Sequence, residues 1–264
     1  HGRRSRDRGP WCGRHVVSGR FGGGCAALSH RAGLCGASGD AGRLIRPGLV
    51  RSPAVAGSDG SGVDLVEVPL MEGTPEALDG YGYTFDDPDD VQVRIVRWPA
   101  GGWRPVDPDT GDEGGTVEGV FDACWDGPTL RALNSAVDGD YLLAEAAGPP
   151  LDSEPWAGGF TIGHLNYHPD GGQLFFPLDP GAFVVPLALP GDGITPADVV
   201  AFWFDGTQGL CIHPGIWHEG IFPVHDRQRF LDRQGRVHAR VSCDVGQEFG
   251  IYLSVPLDIC SGSN

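Results

Sequence analysis

The chain has 264 residues, with 19 Lys and Arg against 35 Asp and Glu, a formal charge of −16, and seven Cys. That length suits one large all-β or α/β domain, alone or with an appendage. The acidic balance argues against nonspecific binding to nucleic acid or an anionic membrane, and the lack of an 18-residue apolar run argues against a transmembrane helix. The 43 Gly and 22 Pro favour many short strands and turns over long helices.

Charge is spread unevenly. Residues 1–62 hold ten Arg and three Asp, net +7; the rest hold nine Arg and 32 acids, net −23. Every cation is Arg. Segment 1–62 is rich in Gly, Arg and Ser and sustains neither a period of 2 nor one of 3.6. It reads as an Arg/Gly-rich, unstructured extension, such as upstream sequence read through from a wrong start; a basic tail for an acidic partner or a transit peptide are the other readings. Val63 is the natural start of a folded part spanning 63–260.

Within that part, Val63–Leu70 reads as a strand. Thr74-Pro75-Glu76 opens a short helix, with Thr74 as N-cap and Pro75 at the first helical position. Val91–Trp98 alternates cleanly and reads as a strand. Pro99–Gly115 reads as a long acidic loop. Thr116–Trp125, Leu130–Ser135 and Tyr141–Glu145 read as strands, and Leu151–Gly159 as a loop. Strands then crowd together: Phe160–His168, Gln173–Pro177, Ala182–Leu189, Val199–Asp205, Gly209–His213, Gly220–Val224, Arg240–Asp244 and Gly250–Leu257. His225 and His238 fall in polar loops between them. Short strands separated by Gly- and Pro-rich turns point to an all-β sandwich or barrel with one or two short helices. Cys124, Cys211, Cys243 and Cys260 show no CxxC spacing, which fits reduced thiols in a cytoplasm. Cys211 and Cys243 lie in apolar strand patterns and read as core residues.

The chemistry gathers in 164–218. Side chains alternate along a strand, so His164, Asn166 and His168 share a face with Phe160 and Ile162. The turn Pro169-Asp170-Gly171-Gly172 brings Gln173 back toward His168. Some forty residues on, the Pro214-Gly215 turn aims His218 across a barrel. Imidazoles converging on an apolar wall suit acid–base work or ligation near neutral pH.

Three runs carry a resemblance. They are His168-Pro169-x-Gly-x-Gln173-x-Phe175-x-Pro177, then Phe183-Val184-Val185-Pro186-Leu187-Ala188-Leu189, then Gln208-Gly209-x-x-x-His213-x-x-x-Trp217-His218. They resemble the ureidoglycolate lyase family, also called ureidoglycolate hydrolase, and Pro214-Gly215-x-Trp217-His218 resembles the second motif of the cupin superfamily. The likeness is strongest over 160–223. It implies a cupin-type jelly-roll barrel, a homodimer in the cytoplasm, and cleavage of ureidoglycolate to glyoxylate and urea in allantoin and purine degradation. No nucleic-acid or membrane partner goes with it.

That substrate is a carbinolamide beside a carboxylate. Its cleavage needs a base for the hydroxyl proton, a donor for the departing urea nitrogen, and a cation or amides for the carboxylate. His218 is the expected base, His168 the next candidate, and His213 an orienting or auxiliary catalytic group. Gln173, Asn166 and Gln208 are expected to bind substrate, and Arg233 its carboxylate, because the guanidinium fork suits one. In the first cupin motif Asn166 stands where the first His of the His-x-His pair belongs, and Gln173 where the Glu ligand belongs. The expectation is therefore that no cofactor is required; the alternative is one divalent metal ion held by His168, Gln173 and His218. Glu219 is expected on the opposite face from His218. Two other functions stay open: a metal-dependent cupin dioxygenase or isomerase, and a non-catalytic cupin that binds a small acid. Catalysis of either kind requires His168 and His218 within roughly 10 Å of each other.

Overall fold

A computed structural model of the chain describes residues 64–97, 102–108, 110, 114–146, 159–237 and 239–257. The expectations for 1–62, for Val63 as a start, for His238 and for all but the last residue of the Leu151–Gly159 loop lie outside them.

The described chain is all-β, as its turn-rich composition predicts. The strands are β1 (Asp64–Glu67), β2 (Leu70–Glu72), β3 (Gly82–Phe85), β4 (Thr116–Asp126), β5 (Thr129–Asn134), β6 (Gly139–Ala146), β7 (Phe160–Ile162), β8 (His164–Tyr167) and β9 (Gln173–Pro177). They continue with β10 (Phe183–Ala188), β11 (Val200–Phe204), β12 (Gly209–Ile212), β13 (Trp217–His218), β14 (Phe222–Pro223), β15 (Arg227–Gly235), β16 (Val241–Asp244) and β17 (Ile251–Val255). One α-helix, α1 (Val245–Phe249), is capped by the Asp244 carboxylate, which accepts from the Gln247 N–H at 2.8 Å.

Two sheets form. The larger runs β1-β17-β7-β6-β5-β4-β15-β9-β12-β3; the smaller runs β16-β8-β13-β10-β11-β2, with β14 also on β10. Among the described residues only β1 on β17 and β2 on β11 pair in parallel. Phe160, Phe175, Phe183, Phe202, Phe222 and Phe230 are wholly buried in one core cluster with members from both sheets. Phe160 stacks on Phe222 at 4.0 Å between ring centroids, and Phe183 meets Phe230 edge-on at 5.2 Å. Strand β10 (FVVPLA) is buried at all six positions, as a central strand covered on both faces must be. These packed sheets are the cupin-like jelly-roll arrangement.

Four local expectations change. After Thr74 the chain makes successive turns, not a helix, although the Thr74 hydroxyl does cap the Ala77 N–H at 3.2 Å. Gly80 and Gly82 follow too soon for a helix to propagate. Val91–Arg97 alternates but forms only one bridge, Ile95 to Gly171. The Phe160–His168 strand is two strands: at Gly163 the chain leaves the larger sheet for the smaller. Finally, 227–235 is a nine-residue strand where none was expected. Its Arg227, Arg229 and Arg233 point outward while Gln228, Phe230, Asp232 and Gln234 are buried, a period of 2 masked by polar side chains on both faces.

The cysteines depart from the expected uniform set. Cys211 and Cys243 are free and buried, as core residues, but Cys124 is disulfide-bonded. A bridge between distant residues leaves no local spacing signature. No helix among the described residues is long and apolar enough to cross a membrane.

Candidate active site

Between the sheets lies a cavity of about 160 Å³. It is lined by Phe121, Asn134, Tyr141, Leu142, Leu143, His164, Asn166, His168, Gln173, Phe175, His218, Glu219, Gly220 and Arg240. Drug-sized ligand sites run to roughly 300–1,000 Å³, so this one suits a small molecule.

Local sequence places the imidazoles. In the turn between β12 and β13, Gly215 has φ 80°, a conformation open to glycine at little cost. Its N–H donates to the His168 carbonyl at 3.0 Å, tying the two His-bearing segments together. Trp217 is wholly buried and its Nε1–H donates to the Gly191 carbonyl at 2.8 Å, which fixes β13 and so its neighbour His218. Gly220 closes the wall, since a Cβ there would lie 2.8 Å from Leu143 and 3.0 Å from Phe121. The His168 and His218 rings sit 5.1 Å apart between centroids, well inside the 10 Å limit that catalysis sets.

Both rings are oriented by backbone carbonyls. His168 Nδ1 lies 2.8 Å from the Ala239 oxygen, and His218 Nδ1 2.8 Å from the Ile216 oxygen. A carbonyl only accepts, so each Nδ1 carries a proton. Burial pulls the His168 imidazole below its ordinary 6.5, against the Ala239 hydrogen bond, the Asp170 charge and a Gln173 side-chain hydrogen bond that raise it. His168 is thus neutral at neutral pH, with its ring lone pair on Nε2. His218 Nε2 lies 3.1 Å from the Gln173 amide oxygen. Asn166 donates to the His218 carbonyl at 3.2 Å and to Glu219 at 3.4 Å.

The structure thus brings together His168, His218, Gln173 and Asn166, with His164 beside them. Three expected residues lie elsewhere. Arg233 is on the outer face of β15: its Nε donates to Glu118 at 2.8 Å, and Nη1 to the Pro88 and Val91 carbonyls at 2.7 and 2.9 Å. Period 2 explains this, because its neighbour Asp232 takes the inward face. Gln208 donates to Asp86 at 2.7 Å on the exterior. His213 lies at the base of the Pro214-Gly215 turn, its ring 5.9 Å from that of Tyr83, and is not among the cavity-lining residues.

Five site residues were not foreseen. Glu219 faces the cavity with its neighbour His218, because β13 ends at His218 and strand alternation stops there. Its carboxylate pairs with His164 Nδ1 at 2.8 Å. Burial lowers the His164 imidazole, but the Glu219 hydrogen bond and charge outweigh it, so the ring is raised above 6.5. Arg240 lines the cavity, anchored through Nε to Asp107 at 2.7 Å. Tyr141 is raised above its ordinary 10.0, chiefly by burial, and remains a phenol. Asn134 and the wholly buried Asp232 stand behind Gln173. The alternation Arg227-x-Arg229-x-x-x-Arg233 was the signal for Asp232: outward arginines imply an inward residue between them.

As metal ligands, His168, Gln173 and His218 offer two imidazoles and one neutral amide oxygen. Both His218 nitrogens are engaged, by Ile216 and Gln173. No group of three or more His, Cys, Asp or Glu among the described residues is placed to hold a metal ion. This set does not fit a divalent ion, which favours three protein ligands with anionic ones among them.

Residues 129–246 match the family model described as ureidoglycolate lyase. The chain is 41% identical over 113 residues to a ureidoglycolate lyase of Stutzerimonas stutzeri, covering 40% of this chain and 61% of that protein. It is 38% identical over 86 residues to one of Azotobacter vinelandii, covering 32% and 50%. With one of Pseudomonas aeruginosa it shares 41% identity over 73 residues, covering 27% and 43%. The chain thus spans about half the length of the curated relatives it matches. The matched segment holds every cavity residue named above except Phe121, and over residues 129–246 the chain is similar to the ureidoglycolate lyase family.

Proposed function

We propose that the protein is a lyase that cleaves ureidoglycolate to glyoxylate and urea. The observation that carries this reading is the His168–His218 pair, 5.1 Å apart in a cavity sized for a small acid. The family match of the surrounding segment supports the choice of substrate.

His168 is the better base, since burial keeps it neutral with its lone pair on Nε2. It takes the hydroxyl proton of the carbinolamide. The O–H electron pair becomes the carbonyl π bond of glyoxylate, and the C–N pair leaves on the urea nitrogen. His218 supplies that nitrogen with a proton. The proton taken by His168 later passes through solvent to His218 and resets the pair. The base first expected at His218 thereby moves to His168, the next candidate. Arg240 suits the substrate carboxylate better than Arg233, because it lines the cavity. The Tyr141 phenol and the Asn166 amide are further polar groups for the ureido end.

This chemistry moves only protons and electron pairs and has no net redox change, so the reading needs no cofactor. A homodimer in the cytoplasm, acting in allantoin and purine breakdown without nucleic-acid or membrane partners, goes with it. The test is stoichiometry: the purified chain should release glyoxylate and urea one for one, undiminished by chelators. Release that stops on chelation and returns with a divalent ion would move the reading to a metal-dependent enzyme.

A further inference from the structure

Asp232 is 0% exposed and has an unusual set of partners. Among the described residues its hydrogen-bond donors are three side-chain amides. Asn134 Nδ2 and Gln234 Nε2 reach Oδ2 at 2.7 and 2.8 Å; Gln173 Nε2 reaches Oδ1 at 2.8 Å. Burial raises the carboxyl to about 6, opposed by these three bonds, so it is ionised at neutral pH. Burying a carboxylate is costly even after relaxation. A wall made only to be filled would hold an apolar side chain at this position.

The amide of Gln173 has two unlike ends. With Nε2 given to Asp232, only Oε1 remains for His218 Nε2, 3.1 Å away. That oxygen accepts and cannot donate, and the Ile216 carbonyl at Nδ1 is in the same position. Both nitrogens of His218 must then carry protons, which makes it the partner able to give one up. We propose that Asp232 is a positioning residue: it fixes the direction of the Gln173 amide and so holds His218 as the proton donor of the site. The inference rests on the lyase reading only for what the donated proton accomplishes.

The oxygen-by-oxygen pairing supplies a test. In Asp232→Asn, the remaining oxygen still accepts from Asn134 and Gln234, but an NH2 faces Gln173. The Gln173 amide must turn over, presenting its own NH2 to His218 Nε2. His218 then keeps a proton only on Nδ1. Exchanging the two groups, with Gln173→Glu and Asp232→Asn together, puts a carboxylate oxygen back against His218 and restores its second proton.

Nitrogen NMR of the full-length protein labelled in histidine, at neutral pH and with His218 assigned by its absence in His218→Gln, reads this directly. Two protonated nitrogens are expected in the wild type, one in Asp232→Asn and two in the exchanged pair. The kcat of Asp232→Asn should fall about 10²-fold with KM within about threefold, as loss of a general acid implies, and the exchange should recover most of it. A wild-type His218 protonated on one nitrogen, or an Asp232→Asn variant in which it keeps both, overturns the proposal. If Asp232→Asn does not fold, the exchanged pair decides, because it keeps every donor matched to an acceptor: one proton on its His218 is equally fatal. A wild type with the expected NMR pattern but no turnover of ureidoglycolate would instead overturn the lyase reading and leave the role of Asp232 intact.

Discussion

The cavity has two unlike walls. The smaller sheet contributes His164, Asn166 and His218 from β8 and β13, with His168 directly after β8, and all four reach the cavity. The larger sheet contributes Asn134, Gln173, Asp232 and Gln234 from β5, β9 and β15, all at most 5% exposed and joined by side-chain hydrogen bonds. The first wall can do chemistry; the second fixes which atoms of the first carry protons. A second buried carboxylate sharpens the contrast. Asp170, two residues after His168, is 6% exposed, yet neither of its oxygens has a hydrogen-bond partner among the described residues. Burial raises its carboxyl above the ordinary 3.8. A buried carboxylate has a positional role when its hydrogen bonds aim another group, as those of Asp232 do; Asp170 has none among the described residues with which to do so.

The largest expected effect falls on the histidine wall. His168→Ala should lower kcat by about 10²–10⁴-fold, the usual worth of a positioned base, with the fold intact by circular dichroism. Because His168 must be neutral to act, kcat/KM should hold as pH drops to 6.5 and fall only below it, as pH passes through the lowered value of that ring. An acid limb above pH 6.5 would assign the base elsewhere. Arg240→Ala should raise KM by about tenfold or more and change kcat less, as expected when a charge-assisted hydrogen bond to substrate is lost. Unchanged KM would remove Arg240 from the substrate.

On the buried wall the effects are on stability. Gln234→Ala leaves Asp232 with one donor fewer and should cost about 1–3 kcal/mol in denaturant unfolding. Asp170→Asn should go the other way. The folded carboxyl is raised, so its contribution to stability is full below 3.8 and is lost as pH rises through the folded value. Removing the charge should therefore stabilise the protein at pH 7 and leave it unchanged or weakened at pH 3. The smallest effects are expected outside the cavity. Arg233→Ala and Gln208→Ala should leave kcat and KM within about twofold, consistent with surface sites away from special features.

Much of the histidine wall was legible in the sequence. His164 and Asn166 alternate along β8 with His168 just beyond it, and Pro214-Gly215 marks the turn that delivers His218. The amide wall was not, for a physical reason. Strand β15 (RQRFLDRQG) carries polar groups on both faces, so hydropathy shows no contrast even though its burial alternates. Arg233, expected to bind the substrate carboxylate, thus lies on the outward face, and the inward Asp232 went unnoticed. Glu219 was hidden differently, by a two-residue strand that ends before alternation can act. Arg240 lies just before β16 and is anchored at the cavity by Asp107, distant in sequence.

The most direct measurement is glyoxylate release from ureidoglycolate, followed through a coupled dehydrogenase, for the wild-type chain beside His168→Ala and His218→Ala. The account predicts steady release by the wild type and a loss of about 10²-fold or more in each variant. No release by the wild type, with or without added divalent ions, or release untouched by both substitutions, would contradict it.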